Sequence, residues 1–218
     1  MKEKIETILG ILSAILIIAL MVLGIVALTT LEKQNKPNYY KPQEINITID
    51  KDFNENEIEL ITKAIEQYTE LELFKIGSLT IGKFDKKADV MITPMRDEKQ
   101  YYDSDAFPNN LGCNYTKVRI GKIKKSIITI NTKLLTVYAN TQARANSHLV
   151  SEEITFNHLY SLYITSVTLH EFGHTLGLVD LYEEEYFNAS VMYFANYELA
   201  ILSDFDYGML VSKYYKEK

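Results

Sequence analysis

Val167-Thr-Leu-His-Glu-Phe-Gly-His-Thr-Leu-Gly-Leu-Val-Asp180 is the stretch on which the reading of this chain turns, and Ser190-Val-Met-Tyr193 follows it. On a helix, His170 and His174 lie one turn apart and project from one face, so both imidazoles can reach a single metal ion. Glu171 falls between them on the helical wheel, close enough to handle a water on that ion without ligating it. Gly177 lets the backbone leave the helix through left-handed geometry, which glycine alone reaches without a steric penalty. The turn can then bring Asp180 back toward the ion as a third ligand.

Together these residues read H-E-x-x-H-x-x-G-x-x-D. H-E-x-x-H is the arrangement of zinc peptidases, with the glutamate as general base. The plain alternative is an amphipathic helix with two core histidines, and it accounts for neither Gly177 nor Asp180. His170 to Leu178 resembles the active-site helix of the matrixin branch of the metzincin metallopeptidases, and Ser190-Val-Met-Tyr193 resembles their Met-turn. Matrixins carry histidine at the third ligand position. Asp180 is similar instead to the snapalysin-type bacterial metzincins, and carboxylate is a normal zinc ligand.

The resemblance implies an α+β, zincin-like catalytic domain: a twisted mixed β-sheet with an active-site helix and a C-terminal helix. It implies one catalytic Zn2+ on His170, His174 and Asp180, with a fourth position left for water. Zinc lowers the pKa of such a water to about 7, and Glu171 would take its proton and deliver it to the leaving amine. Met192 is expected as an apolar floor under the metal. The astacin-like branch has a transition-state tyrosine one residue beyond Tyr193, where this chain has Phe194; Tyr193 is expected as a wall of the specificity pocket, as in the Met-Tyr of matrixins. Arg96 to Asn114 lacks the Gly/Asp-rich ligands that hold structural calcium and a second zinc in matrixins, so structural calcium is not expected. No latency segment of the Pro-Arg-Cys-Gly type is present, and the one cysteine, Cys113, leaves no intrachain disulfide.

The 218-residue chain has a net charge of -6. Thr7 to Thr30 is 24 residues without a charge, long enough for a bilayer core that needs roughly 20 apolar residues. No small-residue cleavage site is evident before Leu31, so a retained signal-anchor is expected, with secretion after signal cleavage as the alternative. Lys2 and Lys4 precede the span while Lys33, Lys36 and Lys41 follow it, which leaves the positive-inside count balanced. By analogy with anchored peptidases, residues 1–6 form a cytoplasmic tail, 7–30 the transmembrane segment, 31–43 a stalk with Pro37 and Pro42, and 44–218 an extracytoplasmic metallopeptidase domain. The acidic balance argues against nucleic acid or anionic membrane as substrate. Protein or peptide, bound extended, is the expected substrate.

Alternation over Ile45, Ile47 and Ile49 predicts a first strand. Ile58, Ile61, Ala64, Ile65, Tyr68 and Leu71 predict an amphipathic helix capped by Asn54 or Asn56. Further strands are expected at Leu79–Phe84, Ala88–Thr93, Lys117–Lys122 and Ser126–Asn131. One of the last two, or Leu111–Tyr115, should be the edge that pairs with substrate. Tyr138 to Glu152 reads as a polar connection containing His148, and Phe156 to Leu176 as the central helix. His158 stands about 120° from the metal face, so it is expected to be structural or solvated, as is His148. Glu183, Glu184 and Glu185 read as a solvated loop. Ser203 and Asp206 predict the start of a last helix through a capping-box-like pair. Two other readings stay open: a gluzincin-type peptidase with a later glutamate such as Glu198 as third ligand, and an inactive membrane-tethered binding module on a peptidase fold.

Overall fold

Glu44–Asp50 (β1) carries the expected alternation, and Ile45, Ile47 and Ile49 are fully buried. In the computed structural model of the chain, the described residues are 44–70, 72, 74–83, 85, 87–95, 110–119, 122–146, 152–194 and 199–214. The expected membrane span at 7–30 and the stalk at 31–43 lie outside them, as do His148 and Glu198. Among the described residues no helix is long and apolar enough to cross a membrane.

Among the described residues the architecture is α+β, with a five-stranded mixed sheet and four helices. After β1 come α1 (Glu55–Thr69), β2 (Lys75–Gly82), β3 (Val90–Pro94), β4 (Gly112–Arg119), β5 (Lys122–Ile130), α2 (Thr132–Ala145), α3 (Glu152–Thr175) and α4 (Asp204–Tyr214). The sheet order is β2-β1-β3-β5-β4. The first three pairings are parallel, and only β4 runs antiparallel, against β5. β4 is therefore an edge strand.

Helix α1 starts where a capping box satisfies its first donors. Asn54 Oδ1 accepts from Glu57 N at 2.9 Å, and Glu57 Oε2 accepts from Asn54 N at 2.8 Å. The free oxygen of Glu57 accepts from the Tyr160 hydroxyl at 2.5 Å, which ties α1 to α3. Tyr68 does the same at the other end, donating to Leu169 O at 2.7 Å while its ring packs 5.4 Å from Phe172. The helix whose reading opens the chain is thus gripped through both its backbone and its apolar face.

Three expectations need correcting. Tyr138–Glu152 is not a connection throughout, because α2 runs to Ala145. Its inward face is only Leu135, Ala139 and Ala143, one residue per turn, too thin an apolar stripe to stand out among Thr, Asn, Gln and Arg. Packing against α3 supplies what propensity does not. Lys117–Lys122 is not one strand: β4 ends at Arg119 and β5 starts at Lys122, paired directly opposite each other. A single Gly121 inside continuing alternation gave little sign of the reversal. β2 begins earlier than expected, at Lys75, and ends at Gly82.

Candidate metal centre

Helix α3 ends at Thr175, and the chain reverses through Gly177, which takes φ 90°. Leu178 N donates to Gly173 O and Gly177 N to His174 O, both at 2.9 Å, closing the helix end in the pattern a left-handed glycine permits. This reversal carries Asp180 back to the histidines. Asp180 Oδ1 lies 3.1 Å from His170 Nε2 and 3.3 Å from His174 Nε2, and the two Nε2 atoms are 3.1 Å apart.

The outer nitrogens settle the chemistry of the inner ones. His170 Nδ1 is 2.8 Å from Val191 O and His174 Nδ1 is 3.0 Å from Leu178 O. A carbonyl oxygen only accepts, so each Nδ1 carries the ring proton and each Nε2 presents a lone pair. Two lone pairs and a carboxylate oxygen thus converge, an arrangement that calls for a cation or a shared proton. Tetrahedral zinc with bonds of about 2.0–2.1 Å needs ligand atoms roughly 3.3 Å apart, and the observed spacings match. These three residues can hold a metal ion; borderline N2O donors suit zinc, and carbonyls on both Nδ1 atoms are the outer-shell support such ligands need.

The electrostatics agree. When a shared proton sits there in place of a cation, hydrogen bonds from His170 and His174 hold the Asp180 carboxyl far below its usual range. Burial alone would lower His174, yet the Asp180 hydrogen bond, the Glu171 charge and the Leu178 carbonyl raise it overall. Glu171 is 7% exposed, and burial raises its carboxyl pKa against the opposing pull of His170 and His174.

The cleft above the centre is lined by Asn110 to Asn114, by Val167, His170, Glu171 and His174 of α3, and by Asp180, Tyr182 and Phe194. Glycine at 112 lets β4 lie directly on the helix. A Cβ there would come 2.6 Å from Val167 Cγ1 and 2.8 Å from Glu171 Cγ and Oε1. Asn114 then locks strand to helix, donating from Nδ2 to Glu171 O and to Thr175 Oγ1, each at 2.6 Å.

Met192 is fully buried. Its Sδ would be 2.5 Å from a Cβ at Gly173, so the sulfur rests against the helix backbone between the two histidines. The Met192 loop is tied to the segment after Asp180 by an isolated parallel bridge: Leu181 N donates to Met192 O at 2.9 Å and Phe194 N to Leu181 O at 3.1 Å. Tyr193 is buried at 9% exposure, with Phe187 and Phe194 packed on it; Tyr182 and Phe194 are the aromatic residues that line the cleft. The Tyr182 hydroxyl reaches Asp180 Oδ2 at 3.4 Å. His158 and Glu183 to Glu185 are exposed, away from the centre.

Sequence reasoning missed Asn114, Tyr182 and Phe194. Asn114 acts across 57 positions, and no local pattern marks such a contact. Tyr182 had a signal, two residues beyond Asp180.

No protein-family model matches the chain, and no curated protein does. Among solved structures it is similar to a chain of the GM1-bound form of the ECX AB5 holotoxin, at 14% identity, with a TM-score of 0.39. The match covers 64% of this chain and 53% of that one, so it spans about half of that chain's length. The likeness is too loose to carry fold or function across.

Proposed function

We propose that the chain is a zinc-dependent endopeptidase of the metzincin type, matrixin-like with an aspartate third ligand. It is anchored by residues 7–30, with residues 44–218 outside the cytoplasm, and cuts extended protein or peptide substrates. The observation that carries this reading is the convergence of His170 Nε2, His174 Nε2 and Asp180 Oδ1 at zinc spacing, with the Glu171 side chain in the same cleft. Asp180 joining both histidines favours it over a later glutamate ligand. The match of metal ligands, general base and buried Met192 supports the family.

Zinc held by the three ligands would supply Lewis acidity, acidifying water and polarising a peptide carbonyl at neutral pH. The chain's own residues do the rest. Glu171 takes the proton of the attacking water and returns it to the leaving amine; its raised pKa suits it to both halves of that transfer. Asn114 holds the Glu171 backbone, and Val191 O and Leu178 O hold the imidazoles in the ligating tautomer. Met192 seals the underside against water. The Tyr182 hydroxyl, beside Asp180 at the mouth, would donate to the oxyanion that develops at the scissile carbonyl. β4, as the sheet edge, offers backbone groups to an extended substrate.

The test uses the full chain in mild detergent: zinc content by elemental analysis, with cleavage of a mixed peptide library by wild type and Glu171→Gln. One zinc in each, with cleavage lost in the variant, is expected. A chain that binds no zinc would be a tethered binding module instead.

A further inference from the structure

We propose that the basic face of the β4–β5 hairpin binds an acidic stretch of the polypeptide substrate, so that this peptidase selects sequences with Asp or Glu on one side of the scissile bond. The inference rests on the peptidase reading and deepens it.

Whole-chain charge hides a strong segregation. Residues 106–151 contain no Asp or Glu but carry Lys117, Arg119, Lys122, Lys124, Lys125, Lys133 and Arg144, in a chain of net charge -6. Lys117, Arg119, Lys122 and Lys124 are all exposed on the hairpin. None of these four forms an ion pair with an acidic side chain among the described residues.

The pairing register makes this arrangement costly. Arg119 stands directly opposite Lys122, and Lys117 opposite Lys125. Like charges at directly opposed positions destabilise a strand pair. Lys125 is offset by the carbonyls of Asp85 and Ala88, at 3.0 and 2.7 Å. The other four have no such compensation within the hairpin, and an anionic partner would supply it.

The position of the patch says which partner. β4 is an edge strand whose first residues, Gly112 to Asn114, line the cleft, while Lys117 and Arg119 lie farther along it, on either side of a register shift after Lys117. Asn114 to Arg119 spans about 17 Å at 3.3 Å per residue. A substrate strand of about five further residues, laid along the same edge, therefore passes the basic side chains as it leaves the cleft. Its carboxylates would meet Lys117, Arg119, Lys122 and Lys124, and the attraction would weaken as salt screens it.

The experiment takes one peptide that the full chain cleaves and fills its flanking positions, on each side in turn, with Glu, Gln or Lys. On one side, the Glu peptide is expected to have a KM about tenfold below the Gln peptide, with kcat nearly unchanged. The gap should shrink from about 50 mM to about 500 mM NaCl. The triple variant Lys117→Glu, Arg119→Glu, Lys122→Glu should reverse the order and favour Lys. Equal KM values for Glu and Gln on both sides, or an unaltered order in the triple variant, would overturn the proposal.

A second readout separates this from failure of the peptidase reading. Fluorescence anisotropy of the same peptides on full-length Glu171→Gln needs no catalysis. Tighter binding of the Glu peptide, lost on charge reversal, supports the basic face even where nothing is cleaved. Charge reversal that weakens binding to phosphatidylserine vesicles but not to acidic peptide would assign the face to lipid and reject the substrate role.

Discussion

The Ser190 hydroxyl donates to Asp206 Oδ1 at 2.5 Å, joining the loop that holds Met192 to the first turn of α4. Asp206 is fully buried, and its other oxygen accepts from Val191 N, Ser203 N and Ser203 Oγ. Val191 O in turn accepts from His170 Nδ1. A carboxylate in α4 thus fixes, through two links, the imidazole of a candidate metal ligand. Asp206→Asn replaces acceptor capacity with a donor facing donors. It is expected to cost about 2–3 kcal/mol of stability and to weaken zinc binding about tenfold. Urea unfolding and competition with a chromogenic chelator measure the two. Unaltered zinc affinity would show that Asp206 holds the fold and not the ligand.

Gly173 and Met192 are coupled by contact. A methyl group at 173 would meet Met192 Sδ at 2.5 Å and the Tyr68 hydroxyl at 2.9 Å, and neither has room to retreat because both residues are fully buried. Gly173→Ala is expected to destabilise by about 1–3 kcal/mol through overpacking. Combined with Met192→Ala, it should cost less than the sum of the single changes, since the smaller residue vacates the clash. Strict additivity in the double-mutant cycle would mean that the sulfur does not rest on the helix.

The convergence of His170, His174 and Asp180 was legible because its information is local. His170, Glu171 and His174 share one turn and a half of helix, and Gly177 sets the direction of the return to Asp180. The first strand and α1 were legible for the same reason, in the alternation around Ile47 and the capping box of Asn54 and Glu57. Asp206 was half legible: its cap with Ser203 is local, while its bonds to Ser190 and Val191 span 16 and 15 positions and appear only when the chain folds. Helix α2 was illegible because its stability lies in contact with α3 and not in its own pattern.

Asn114 shows what the far contacts do. Its amide joins the edge strand to Glu171 O and Thr175 Oγ1, while its Oδ1 accepts from the Thr116 hydroxyl at 2.5 Å. Asn114→Ala removes both donors and is expected to cost about 1–3 kcal/mol. Because Glu171 moves relative to the cleft, kcat should fall by about tenfold or more with zinc stoichiometry retained. Parallel assays of zinc content and single-turnover cleavage distinguish this from simple unfolding, which would lower both.

Cys113 offers a titration inside the cleft. Burial, and after it the nearby Glu171 charge, raises its thiol to about 11. Only the thiolate is nucleophilic, so alkylation at neutral pH should be slow. In the metal-free protein the rate should climb about tenfold per pH unit until it levels near pH 11. A negative neighbour disfavours the thiolate, so Glu171→Gln must lower this pKa and speed alkylation at any pH below the plateau. Iodoacetamide labelling followed by mass spectrometry across the pH range tests the sign. Slower labelling in the variant would place Cys113 outside the reach of the Glu171 carboxylate.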